Sequence, residues 1–205
     1  DNTNVNSVYE YIYIPDGVVK DQGGLTVNTS ATLAFYSDTA IKYLLEYPYG
    51  CSEQIASKLK AIAIAKQGAD LKKEALPLVD YNGKKYSAEE AINLGLKDLQ
   101  ANYVSGQGYS YYPSGQTNLY LTLHVADALV SVRKAGLVKD EKQLLLAELS
   151  RTIQNKSMND KSFVKDNNIK ILAFYVLSEL KDYQAINPII INNIKSLEND
   201  QKFLN

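Results

Sequence analysis

The chain holds one cysteine, Cys51, and a glutamine stands three positions after it in the run Tyr47-Pro48-Tyr49-Gly50-Cys51-Ser52-Glu53-Gln54. A thiolate is a nucleophile and a carboxamide carries an acyl carbon, so the pair permits one reaction. Sulfur adds to the Gln54 side-chain carbonyl, the C–N bond breaks, ammonia leaves, and a thioester joins the two side chains. The product is a stored electrophile, because a thiolate leaves far more readily than an amide nitrogen. A lysine amine or a hydroxyl that attacks it becomes acylated by Gln54, and Cys51 recovers its thiol.

That chemistry needs a helix start. Residues three apart there lie on one side, with Cβ atoms about 5–6 Å apart, which lets the Cys51 sulfur reach the Gln54 carbonyl. Pro48 cannot continue a preceding helix, and Gly50 is expected to take a backbone conformation that other residues resist. An apolar stripe restarting at Ile55 puts Cys51 in or just before a first turn, where the helix dipole favours a thiolate. Glu53 reads equally well as a first-turn acid matched to that dipole. Tyr47 and Tyr49 are placed to form an aromatic wall that keeps water away. A lone cysteine is most often a small buried hydrophobe, and Cys-x-Glu-Gln alone would not displace that reading.

The elements that would position the pair fall into two parts with a boundary near residue 30. Val8 to Ile14 is rich in aromatic and β-branched residues, Pro15-Asp16-Gly17 reads as a turn, and Leu25 to Thr29 reads as a second short strand. Two strands alone are marginal, so residues 1–30 are expected to be a β segment completed by a neighbouring sheet. From about Ser37 onward apolar residues recur at helical spacing: Ile41, Leu44 and Leu45; Ile55, Leu59 and Ile62; Ile92, Leu96, Leu99 and Tyr103; Leu121, Val125, Leu129 and Val132. The pattern continues through Leu145, Leu149 and Ile153, then Ile169, Leu172, Val176 and Leu180, with a last helix beyond Pro188, about seven in all. Gly50, Gly68, Asn82-Gly83, Gly106 with Gly108, Gly136 and the polar stretch from Asn155 to Asn168 read as joints between antiparallel hairpins. The class is therefore mainly α, a bundle or a closed ring of hairpins, with a short N-terminal β segment.

Composition excludes several functions. Of the 205 residues, 45% are hydrophobic and 22% charged, as in an ordinary soluble domain. The formal charge is −1 with no basic face, which argues against nucleic acid or anionic lipid as a partner. No run approaches the roughly 20 apolar residues of a membrane span, so no membrane insertion is expected. A single cysteine rules out an internal disulfide, His124 and the scattered carboxylates lack metal-ligand spacing, and no phosphate loop is present, so neither metal nor cofactor is expected. Asn28-Thr29-Ser30 and Asn155-Lys156-Ser157 match the glycosylation pattern, a match frequent by chance. His124, the only histidine, invites a catalytic role because imidazole titrates near neutral pH. Its spacing from Leu121 and Ala128 puts it close to the apolar face of its helix, which favours a structural role as a neighbour of the site.

The run from Tyr47 to Gln54 resembles the thioester signature of the alpha-2-macroglobulin and complement family, Pro-x-Gly-Cys-x-Glu-Gln, at Pro48, Gly50, Cys51, Glu53 and Gln54. Tyr47 and Tyr49 look like the bacterial branch, and Ser52 stands where animal members commonly have glycine. Gly23-Gly24-Leu25-Thr26-Val27 is similar to the family's strand entering the domain. Gly108 to Gly115 and the segment Tyr120 to Leu129 are similar to its glycine-aromatic turn and following helix, so the likeness covers about residues 23 to 180.

The resemblance implies an α/α toroid over residues 31–205, shortened at its C-terminal end, joined through residues 1–30 to a CUB-like β-sheet domain. It implies a stoichiometric covalent protease trap and not a turnover enzyme: a protease cuts a bait region elsewhere, and the thioester captures its surface lysines. Macroglobulin and CUB-like domains of the parent chain are the implied neighbours, and the implied location is periplasmic, secreted or at the cell surface. In complement members a later histidine directs transfer to hydroxyls; the corresponding stretch, roughly Ser157–Asn168, has none, so direct reaction with amines is implied. Two other readings compete. One is a surface adhesion module using the same bond, the other a helical binding scaffold in which no thioester forms. A toroid-fold lipid enzyme lacks its aspartate-rich or zinc motifs here.

Overall fold

The computed structural model describes residues 11, 13, 16–17, 43–44, 50–73, 75–76 and 78–198. The expected N-terminal strands, the entry strand at Gly23–Val27 and the residues Tyr47, Pro48 and Tyr49 lie outside the described residues, as does the first helix except Tyr43 and Leu44, which are helical. By its contacts the chain divides into two compact units, Asp1–Leu33 and Ala34–Asn205. Every helix from Ser52 onward belongs to the second.

The fold is mainly helical. Helix α1, Ser52–Lys72, runs straight through Gly68, where a joint is expected from the sequence; a single helical glycine costs about 1 kcal/mol and does not end a helix. The end comes at Lys73, in the left-handed region with φ 58°. A hairpin follows, β1 (Val79–Tyr81) and β2 (Lys84–Tyr86), with Tyr81 opposite Lys84. Its loop, Asn82-Gly83, has both residues at positive φ, 53° and 79°, which is the type I′ geometry that matches strand twist. Val79 and Tyr81 are buried, and the Tyr81 hydroxyl donates to Asp98 at 2.8 Å, tying the hairpin to α2, Ala88–Ala101. Helix α2 begins with a capping box: Glu90 N–H donates to Ser87 Oγ at 3.2 Å, and Ser87 N–H donates to the Glu90 carboxylate at 2.9 Å. These bonds hold the Glu90 carboxyl below its ordinary value.

Tyr103, whose spacing extends the α2 stripe, instead begins β3 (Tyr103–Val104), paired with β4 (Gly108–Tyr109). Helix α3, Leu119–Lys134, is the most deeply buried element: Leu121, Leu123, Val125, Ala126, Ala128 and Val132 have no exposed surface, and the apolar residues extend round most of its circumference. A 3₁₀ turn, Glu141–Leu144, leads into α4, Leu146–Asn159. The stretch expected to be a loop, Asn155 to Asn168, is instead mostly helical. It holds the end of α4, a short α5 (Lys161–Lys165) and the start of α6 (Asn167–Glu179), because Phe163 supplies a fully buried anchor and Asp166 caps α6. Helix α7 is Pro188–Glu198.

Packing follows a simple rule. Helix α2 lies on α1, α4 on α3 and α7 on α6, while α1 packs against α3 and α3 against α6. Ser57 of α1 meets His124 of α3, and one turn further along both, Lys60 meets Asp127, so these two helices run in the same direction. The C-terminal ends of α3 and α6 meet where Lys134 pairs with Glu179, so α6 runs that way too. The result is a row of helical hairpins with parallel first helices. Among the described residues, no helix is long and apolar enough to cross a membrane.

Two glycines in the β3–β4 turn separate backbone strain from crowding. Gly106 and Gly108 both have positive φ, 69° and 93°, but a Cβ at Gly106 would meet open space. A Cβ at Gly108 would lie 2.3 Å from Thr122 Oγ1 and 2.9 Å from Cγ2. Thr122 is fully buried and its Oγ1 accepts from Tyr109 N–H at 3.0 Å, so it has nowhere to go. In urea unfolding, Gly106→Ala is expected to lose about 1 kcal/mol and Gly108→Ala about 3 kcal/mol or more. Equal losses would mean that the close approach to Thr122 relaxes.

Candidate functional site

Cys51 is the N-cap of α1, in extended conformation (φ −73°, ψ 160°), and its carbonyl accepts the first intrahelical bond from Ile55 N–H at 2.9 Å. Gln54 is the third helical residue. Its side chain folds back, so that the Cys51 N–H donates to Gln54 Oε1 at 3.1 Å. This is the back-bond of a capping box, with glutamine as its third helical residue. The bond has two chemical consequences. It brings the carboxamide back over the residue that carries the sulfur, and it puts a donor on the oxygen that would gain negative charge if the sulfur added to Cδ. Cys51 is 7% exposed, so a sulfur there is largely sheltered from water.

Glu53 lies half-buried in the first turn, where its charge complements the helix dipole. Among the described residues, nothing comes within 4 Å of where a Cβ on Gly50 would stand.

The first turn of α1 is held by contacts that sequence reasoning did not anticipate. Ser52 N–H donates to Tyr111 O at 3.0 Å, and Ser52 Oγ donates to Ser110 O at 2.7 Å and accepts from Asn102 Nδ2 at 2.8 Å. Asn102 is the C-cap of α2, and Ser110 lies just after β4, so three separate elements meet at Ser52. The glycine-aromatic turn is legible in the sequence, but nothing in the residue pattern says that Ser52 is bonded to it. The Tyr111 phenol is raised above its ordinary value, first by desolvation and then by the neighbouring Glu53, Tyr120 and Cys51. Tyr111 thus lies at the head of the helix, its carbonyl accepting from the residue after the cysteine.

His124 lies at the α1–α3 interface. Its Nε2 is 3.0 Å from Ser57 Oγ, and its ring stacks on Tyr120 with centroids 6.5 Å apart and planes 13° apart. Ser57 is one helical turn beyond Gln54, so the histidine's hydrogen bond goes to the helix that bears the pair, past the reacting atoms. Among the described residues, no group of three or more His, Cys, Asp or Glu side chains could hold a metal.

No protein-family model, curated protein or solved structure matches the chain.

The place of His124 gives a separable expectation. His124→Ala removes one half-buried hydrogen bond and one ring contact, which should lower stability by about 1 kcal/mol in urea. The thiol titre of Cys51 in freshly unfolded protein should stay at the unsubstituted value. A changed titre would place the imidazole in the chemistry of the pair.

Proposed function

We propose that this chain is the thioester-bearing helical domain of a bacterial-type alpha-2-macroglobulin-like protease trap, with Cys51 and Gln54 as the reacting pair. The observation that carries the reading is the Cys51 N–H bond to Gln54 Oε1 at 3.1 Å. It is the contact expected where a glutamine carbonyl is to be attacked by the cysteine at the head of the same helix. The signature residues Pro48, Gly50, Cys51, Glu53 and Gln54 support the family assignment through their resemblance. The row of hairpins with parallel first helices supports the finer architecture, since further hairpins added on the same plan would close an α/α toroid.

On this reading the domain acts once per molecule. Cys51 Sγ displaces ammonia from Gln54 during folding. A lysine amine on an attacking protease later adds to the acyl carbon, the C–S bond breaks, the thiolate takes up a proton, and an isopeptide bond joins Gln54 to the protease. Shelter of Cys51 by its surroundings lengthens the life of the bond, and the setting of such a trap is extracytoplasmic, where foreign proteases are met. Bait cleavage and shielding belong to other domains of the parent protein.

The test is intact mass with and without methylamine, together with a thiol count. The expected result is a chain one ammonia lighter than its sequence, which gains one methylamine and one titratable thiol on treatment. Cys51→Ala should show neither change. Full mass and a free thiol from the outset, in freshly prepared parent protein, would leave a helical binding scaffold as the reading.

A further inference from the structure

Ser52 stands where glycine would satisfy the resembling signature, yet its hydroxyl has partners that glycine could not serve. The bonds around it form a closed cycle. Ser52 Oγ donates to Ser110 O at 2.7 Å; Ser110 N–H donates to Asn102 O at 3.1 Å, while its hydroxyl donates to Tyr112 O at 2.7 Å; Asn102 Nδ2 donates back to Ser52 Oγ at 2.8 Å. Ser52 and Ser110 have no exposed surface and Asn102 only 5%. A buried cycle of this kind is held together because each bond sits in a low dielectric and each broken bond strands a polar group.

We propose that Ser52 and Asn102 are positioning residues for the Cys51–Gln54 pair. Helix ends fray by default, and the first N–H groups of a helix have no partner within it. Here the first of them, on Ser52, is held by Tyr111 O at 3.0 Å, and the side chain of the same residue is held by the cycle. Cys51 is therefore flanked by an immobilised residue, keeps its extended N-cap conformation, and aims its N–H at Gln54 Oε1. Release of Ser52 frees the first turn, so the carboxamide loses its donor and the sulfur its shelter together. The same anchor keeps the Tyr111 carbonyl, and with it the turn that carries the Tyr111 ring, against the head of the helix. This inference rests on the thioester reading of the site.

The test compares Ser52→Gly, Asn102→Ala and the milder Ser110→Ala, which keeps the carbonyl that accepts from Ser52, with Val176→Ala. Val176 is fully buried in α6, and its truncation lowers stability without touching the cycle. Two quantities are read in the full chain: the fraction that has lost ammonia, by intact mass, and the rate of Cys51 alkylation by iodoacetamide after methylamine treatment. Ser52→Gly and Asn102→Ala should form several-fold less thioester and alkylate about tenfold faster than the unsubstituted chain, with Ser110→Ala between, while Val176→Ala matches the unsubstituted chain in both. Cycle variants that behave like Val176→Ala would reduce Ser52 and Asn102 to ordinary packing. An unsubstituted chain that never loses ammonia would remove the trap reading, and the alkylation rates would still decide the positioning.

Discussion

The head of α1 is the constraint on which the site depends. A helix start leaves backbone N–H groups without partners, and here those groups are used in two directions. Cys51 N–H, just before the helix, turns inward to Gln54 Oε1, and Ser52 N–H turns outward to Tyr111 O. One makes the local geometry and the other fixes that geometry to the rest of the domain. Neither suffices alone. An i, i+3 pair on a fraying turn meets only part of the time, and a well-anchored turn without the Gln54 back-bond leaves the carboxamide free to rotate.

The anchor in turn depends on the burial of α3. Thr122, on the first turns of that helix, has its Oγ1 against Tyr109 N–H and its bulk against Gly108, and so sets where β4 and the residues after it can lie. Asn102 reaches Ser52 because α2 packs antiparallel on α1, its C-cap at the other helix's head, and that packing is close because Gly95 faces Leu59 and Ile55. The hairpin β1–β2 is tied to the last turn of α2 through Tyr81 and Asp98. An apolar core thus delivers three polar residues to one point.

The helical periodicity was legible where one residue type decides the outcome. Leu121, Val125, Leu129 and Val132 are all buried, as are Ile55, Leu59 and Ile62, because an apolar stripe at 3.6-residue spacing has one favourable arrangement. Pattern misleads at Tyr103, where the stripe continues in sequence but the chain turns into β3. It misleads again between Asn155 and Asn168, where polar composition hides the buried Phe163 and the Asp166 cap. Asn82-Gly83 reads only as a joint, although Asn-Gly between Val79-Asp80-Tyr81 and Lys84-Lys85-Tyr86 carries a hairpin signal. In the site, the Cys51–Gln54 spacing was legible because it is local. Ser52 was not, because its partners lie fifty and more residues away and a serine in a first turn looks like any other.

The same dependence reaches along the α1–α3 interface. Two parallel apolar helices can exchange one packing for another by sliding a turn, about 5.4 Å, at little cost in buried area. Here Ser57 meets His124 and Lys60 meets Asp127, both steps being three residues on each helix. A slide of α1 by one turn toward its own N-terminus would bring Lys60 against His124 and leave the carboxylate of Asp127, only 6% exposed, against Ala63 and Ile64. A buried charge without its partner is strongly unfavourable, so the ion pair selects one register among several that the apolar residues would accept. That register is the one in which Ser52 stands level with Ser110 and Tyr111, so a polar pair more than two turns below the cysteine helps to determine whether the head of the helix meets its anchor.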